Sequence, residues 1–90
     1  MKKLKAVATE LAERFELPAE AVGAAKLTLT GGSRLLVENH SGLLEYGEER
    51  MIVSCMKGKI IIYGSELRLV GMNADELAIV GSIKSVEWEK

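Results

Sequence analysis

The chain has 90 residues, enough for one domain with one hydrophobic core. Its composition, 48% hydrophobic and 28% charged, is too apolar for a disordered chain. Twelve Lys+Arg against thirteen Asp+Glu give a formal net charge of −1, without the basic surplus of a nucleic-acid-binding module. One Cys excludes an internal disulfide framework and a multi-Cys zinc site. One His and a single Asp, Asp75, leave few parts for a catalytic triad or a metal cage. No run approaches the roughly 18 consecutive apolar residues of a membrane-spanning helix. The basic start (Lys2, Lys3, Lys5) does not lead into a signal peptide, because Glu10, Glu13 and Arg14 interrupt any apolar stretch. The expected compartment is the cytoplasm, where Cys55 stays reduced. Asn39-His40-Ser41 fits the N-glycosylation pattern, which carries meaning only in a secretory pathway.

Residues 2–16 place Leu4, Val7, Leu11 and Phe15 at spacings of three and four, on one face of an amphipathic helix. Ala6, Ala8 and Ala12 favour that helix, and Glu10 with Arg14 forms an i,i+4 pair. The charge order, Lys first and Glu last, opposes the helix dipole. Such a helix needs a surface on which to dock its stripe. Pro18 ends it, and residues 18–22 form one further turn closed by Gly23. Residues 1–23 are thus expected to be a helical segment docking on a β domain that occupies residues 24–90.

From Lys26 the period changes to two. Eight strands are predicted, at 26–30, 34–38, 43–46, 50–56, 59–63, 66–71, 76–80 and 83–88. Between them lie short connections, among them Gly31-Gly32, Asn39-His40-Ser41-Gly42, Lys57-Gly58, Gly64-Ser65 and Gly81-Ser82. Gly-Ser pairs suit type II′ hairpin turns, and short turns mean antiparallel neighbours. The expected fold is mainly β: an antiparallel meander forming a small two-sheet sandwich or roll, with the amphipathic helix at its N-terminus. Three strand–Gly–Ser–strand units, ending at Gly31, Gly64 and Gly81, form a weak internal repeat. The alternative this repeat raises is a short β-solenoid of stacked rungs.

Several strands are apolar on both faces. Met51-Ile52-Val53-Ser54-Cys55-Met56 and Lys59-Ile60-Ile61-Ile62-Tyr63 break the alternation that a sandwich with wet outer faces requires. Leaving such a surface in water is unfavourable by about 25 cal/mol per Å². Either the N-terminal stripe covers it, or the remainder is a contact for a second copy or another protein. Met51, Val53, Ile61 and Tyr63 are the candidate apolar interface.

The reactive residues are few, and each has a structural reading. His40 lies in an expected hairpin loop beside Glu38 and Asn39, where Asn39 and Gly42 would supply unusual backbone angles; no nucleophile adjoins it. Cys55 sits in an apolar strand and reads as a buried, inert thiol. Glu45, Glu48 and Glu49 cluster at a turn but lack a calcium-loop spacing, and read as a solvated tip. Lys2, Lys3, Lys5 and Lys26 would each gain about 1 kcal/mol at an anionic membrane, but docking of the helix on its own sheet is the expected use of the stripe.

The run Arg34-Leu35-Leu36-Val37-Glu38-Asn39-His40-Ser41-Gly42-Leu43-Leu44-Glu45-Tyr46 resembles a stretch of the YabP/YqfC sporulation proteins, the YqfC branch more than the YabP branch. Leu17-Pro18 and Lys26-Leu27-Thr28-Leu29-Thr30-Gly31 before it fit the same pattern. So do Lys57-Gly58-Lys59-Ile60-Ile61-Ile62-Tyr63-Gly64, Leu67-Arg68-Leu69 and Leu77-Ala78-Ile79-Val80-Gly81-Ser82-Ile83 after it. The likeness runs from about residue 17 to the end. Ala25 departs from it, where Pro is expected, and the first sixteen residues carry no part of it.

The resemblance implies a non-enzymatic protein without cofactors, made in the mother-cell compartment during endospore formation. It would act through protein–protein interaction or assembly, at the forespore surface through a partner such as a sporulation membrane protein, or through self-association. The candidate partner contact is Glu38, Asn39, His40, Ser41 and Gly42. The competing reading is a small-ligand-binding β module without catalysis, which requires a concave apolar pocket.

Overall fold

A computed structural model describes residues 23–90. The helix expected at 2–16, and its docking, lie outside the described residues. Six strands follow in chain order: β1 (Lys26–Thr30), β2 (Arg34–Glu38), β3 (His40–Glu45), β4 (Arg50–Cys55), β5 (Gly58–Met72) and β6 (Glu76–Glu89). They form one sheet in the order β1-β2-β6-β5-β4-β3, with every neighbouring pair antiparallel. The mainly β, antiparallel expectation holds. The separate second sheet does not, and parallel solenoid rungs are excluded among these strands.

The eight expected strands become six because two presumed hairpin turns lie inside continuous strands. Segments 59–63 and 66–71 are both parts of β5, and 76–80 and 83–88 are both parts of β6. The two Gly-Ser pairs meet across this strand pair, with Gly64 opposite Ile83 and Ser65 opposite Ser82. The register shifts here, on both sides of the Gly64–Ser65 step. Glu66 (φ 53°) and Gly81 (φ 139°) take left-handed backbone conformations. A Cβ on Gly64 would lie 2.0 Å from the Ser82 carbonyl oxygen, and one on Gly81 would lie 2.6 Å from that of Glu66. The repeated Gly-Ser unit therefore marks a matched bulge, where two long strands bend together with their backbones in close approach. Glycine fits a hairpin turn and a bend equally well, so composition alone did not separate them.

The bend divides the sheet into two halves. The first contains β1, β2, residues 76–80 of β6 and 68–72 of β5. The second contains residues 83–89 of β6, 58–63 of β5, β4 and β3. One core joins them: Leu35, Val37, Leu77 and Ile79 from the first half cluster with Met51, Val53, Cys55, Ile60 and Ile62 from the second, and Leu67 adjoins the bend. Each set alternates along its strand, as a half-buried strand requires.

The step from β2 to β3 is a single residue. Asn39 (φ 65°) carries the chain from one half to the other, and β2 and β3 do not pair. The hairpin expected at residues 39–42 is thus a crossing, which Asn tolerates better than most residues with a Cβ.

Candidate functional site

Two seams form where the edges of the folded sheet come together. The first lies between β1 and the end of β6. Near the bend it is tied by backbone bonds, Ile83 N–H to Gly32 carbonyl (2.8 Å) and Gly81 N–H to Ser33 carbonyl (3.1 Å). At its far end Ala24, Ala25 and Leu27 share a groove of about 420 Å³ with Met56, Ile60 and Trp88.

The second seam lies between β3 and the end of β5. Near the bend the Leu67 N–H donates to Glu48 (2.9 Å) and the Gly64 N–H to Glu49 (3.1 Å). At the far end the Asp75 carbonyl accepts from the N–H groups of Asn39 (2.7 Å) and His40 (3.3 Å). His40 Nε2 donates to the Asn73 carbonyl at 2.9 Å, which places the ring proton on that nitrogen. Asn73 in turn holds its own loop, its Oδ1 accepting from the N–H groups of Asp75 (2.9 Å) and Glu76 (2.7 Å).

These bonds correct the expected exposed tip. His40 is buried and opens β3 opposite Cys55, and its buried Nδ1 has no hydrogen-bond partner among the described residues. Asn39 donates from Nδ2 to the Ala24 carbonyl at 3.0 Å, and Glu38 pairs in register with Lys26 and Glu76. Of the five residues proposed as a partner contact, Ser41 alone is exposed. The residues that made this stretch distinctive in sequence knit the two halves together.

The expected apolar interface divides as well. Met51 and Val53 are fully buried, because the inward face of β4 forms part of the core shared by the two halves. They present no surface to a partner. Ile61 and Tyr63 lie on the outward face with Ile52. Ile61 is 9% exposed there and Tyr63 is half-buried.

Exposed apolar side chains lie elsewhere, along the seams. Among the described residues the large exposed hydrophobics are Leu27, Leu29, Met56 and Trp88 beside the first seam, and Leu44, Tyr46, Val70 and Met72 beside the second. Leu44 and Val70 each occupy a register shift, so each is an extra bulged residue on its edge. None of the eight is among the interface residues expected from sequence. Leu27 and Leu29 carry the period-two signal of a strand, but only the strand order shows that β1 ends the sheet.

The remaining polar groups are arranged for structure. Arg50 grips Glu45 with two bonds, at 2.6 and 3.1 Å, and that bonding and the carboxylate charge raise the guanidinium's pKa further. Burial pushes the Cys55 thiol above its ordinary pKa, which disfavours the thiolate that a nucleophile needs. Among the described residues no group of three His, Cys, Asp or Glu is placed to hold a metal ion, and no helix is long and apolar enough to cross a membrane.

No curated protein and no solved structure matches the chain. A family model does, that of the YabP family, over residues 22–90, a span that takes in all six strands and both seams. The chain belongs to the YabP family, and that membership points to sporulation.

Proposed function

We propose that the protein serves endospore formation as a non-enzymatic interaction or assembly factor in the mother cell, binding a protein partner along the second seam. The observation that carries this reading is the set of four exposed apolar side chains, Leu44 on β3, Tyr46 just after it, and Val70 and Met72 on β5, that border that seam. Paired backbone groups at both ends hold those strands in place, so the patch is presented on a fixed frame. Large apolar side chains on a rigid edge gain by burial against a partner, at about 25 cal/mol per Å². A sporulation membrane protein or a second copy of the chain would supply such a surface.

The test replaces Leu44 and Val70 together by Lys. Both are more than half exposed, so the fold should survive. The expected result is an unchanged melting curve with a fall of at least tenfold in heat-resistant spores, and loss of any self-association seen by sedimentation. A variant that folds and sporulates like the parent would overturn the assignment of this edge.

A second reading, a small-ligand-binding β module, is favoured by the groove at the first seam. Its volume of about 420 Å³ falls in the range of small-molecule sites, and its lining is mostly apolar.

A further inference from the structure

Charge is distributed unevenly between the two seams. Beside the first, Lys57 and Lys90 line the apolar groove, Lys26 opens β1 and Lys84 lies just past the bend on β6; all four are exposed. Carboxylates on that side are mostly engaged: Glu89 bonds Lys59 at 3.1 Å and Glu38 stands opposite Lys26, which leaves Glu87. Beside the second seam the balance is reversed. Glu48 and Glu66 share a pocket with Tyr46 and Arg68, Glu49 follows at the bend, and Asp75 and Glu76 stand at the corner, every one of these carboxylates exposed. Arg50 is held by Glu45, so Arg68 is the cation that remains there among the described residues.

We infer that the partner of the second seam is the first seam of another copy of this chain, so that molecules join head to tail. The inference rests on the reading of the second seam as a partner surface and adds the partner's identity. Three observations carry it. The first is charge: two second seams facing each other oppose carboxylates, and two first seams oppose lysines. Only the unlike pairing brings opposite charges together. The second is that each seam carries its own exposed apolar set, with Met56 and Trp88 among one and Tyr46 and Met72 among the other. Aromatic and Met side chains at the centre with charged groups around them are the composition of a protein interface.

The third observation is strand direction. β1 and residues 68–72 of β5 are the two edges of the first half of the sheet, with β2 and residues 76–80 of β6 between them. Every neighbouring pair is antiparallel, so these two edges run in opposite directions. A copy displaced sideways therefore brings its β1 antiparallel to residues 68–72 of its neighbour, with the same face of the sheet turned inward. The five residues of β1 are all exposed and pair with β2 without any register shift, so no bulge blocks approach to that edge. Val70, the extra residue on the opposing edge, interrupts a backbone ladder, and contact there is made by side chains. A head-to-tail contact leaves one seam of each kind free at the ends, so it continues as a chain unless the rotation closes a ring.

Sedimentation of the full chain should show growth past a dimer as concentration rises, and less of it at high salt. Leu27→Lys with Leu29→Lys removes the first seam, and Leu44→Lys with Val70→Lys removes the second. Each variant alone should be a monomer. Mixed in equal amounts they should form a heterodimer and stop there, because one intact seam of each kind remains. A first-seam variant that still dimerises by itself would overturn the inference, since the second seam would then meet its own like. A parent that is monomeric at every concentration would overturn it too. The spore count separates that failure from failure of the partner reading: spore loss in the Leu44/Val70 variant beside a monomeric parent means a foreign partner, whereas normal sporulation means that the seam is no partner surface. A charge swap gives the same test without touching an apolar group. Lys57→Glu with Lys90→Glu, and Glu48→Lys with Glu66→Lys, should each weaken association about fivefold or more, and mixing the two should restore it. Absence of that rescue would overturn the pairing of unlike seams.

Discussion

The two seams of the folded sheet are closed by different physics. At the second, the chain supplies bonds at both ends: Glu48 and Glu49 carbonyls near the bend, Asn73 and Asp75 carbonyls at the corner. At the first, the backbone bonds among the described residues lie near the bend, and the far end is a groove between Trp88 and the start of β1. Hydrogen bonds fix geometry and cannot slip, but each adds only about 1 kcal/mol net. Apolar contact is less directional and scales with the area covered. A seam locked at both ends can hold side chains out toward a partner, whereas a seam bonded at one end leaves apolar side chains beside an open groove.

The largest expected effect removes the element that both seams share. Gly64→Val puts a branched side chain where a Cβ already meets the Ser82 carbonyl oxygen at 2.0 Å, and Gly81→Val adds a clash with Glu66 to an unfavourable φ of 139°. Either change should cost at least about 3 kcal/mol, read as a lower denaturation midpoint or loss of soluble protein. A variant at Gly64 with parental stability would mean that β5 and β6 do not bend together there.

His40→Ala should come next and should act on one seam. It removes the Nε2 bond to Asn73 and leaves that carbonyl without its partner, at a cost of about 1–3 kcal/mol. Amide exchange should quicken at Asn39 and at position 40, whose backbone N–H groups donate to the Asp75 carbonyl, and remain slow at Ile83, which is tied at the first seam. Equal acceleration at both would show that the seams open as one unit.

Legibility in the sequence followed the kind of signal involved. The period-two patterns at Leu35/Val37 and Leu77/Ile79 specify buried faces directly, and those residues are core. The start and end of β1 and β2 match as expected because Gly31 and Gly32, both with positive φ, form a true turn between them. Gly64-Ser65 and Gly81-Ser82 misled because a bend and a hairpin need the same small residues. His40 misled for another reason: its partners, Asn73 and Asp75, lie more than thirty residues away, so local sequence showed a polar loop where the fold makes a buried corner. Met51 and Val53 were rightly read as apolar, but which face of β4 is covered depends on the bend in β5 and β6. The exposed edges were hidden from sequence altogether, since strand order is not a local property.

The smallest effect comes from Cys55, which faces His40 in the register beside the second seam. Burial raises the pKa of its thiol in the folded protein. The unfolded chain therefore ionises first as pH rises, and the folded state loses stability from the ordinary thiol pKa upward; below that pH the contribution is fully present. In urea titrations at neutral pH and at about pH 10, the parent should lose more stability than Cys55→Ala. The comparison with Cys55→Ala isolates the thiol, because every other ionisable group is common to both proteins. The same thiol also separates the seams. Alkylation of Cys55 should be slow in the parent and faster in His40→Ala, which loosens the corner beside it. It should be unchanged in Leu27→Lys, which disturbs only the first seam. Faster alkylation in the Leu27 variant would mean that the groove and the corner are mechanically coupled.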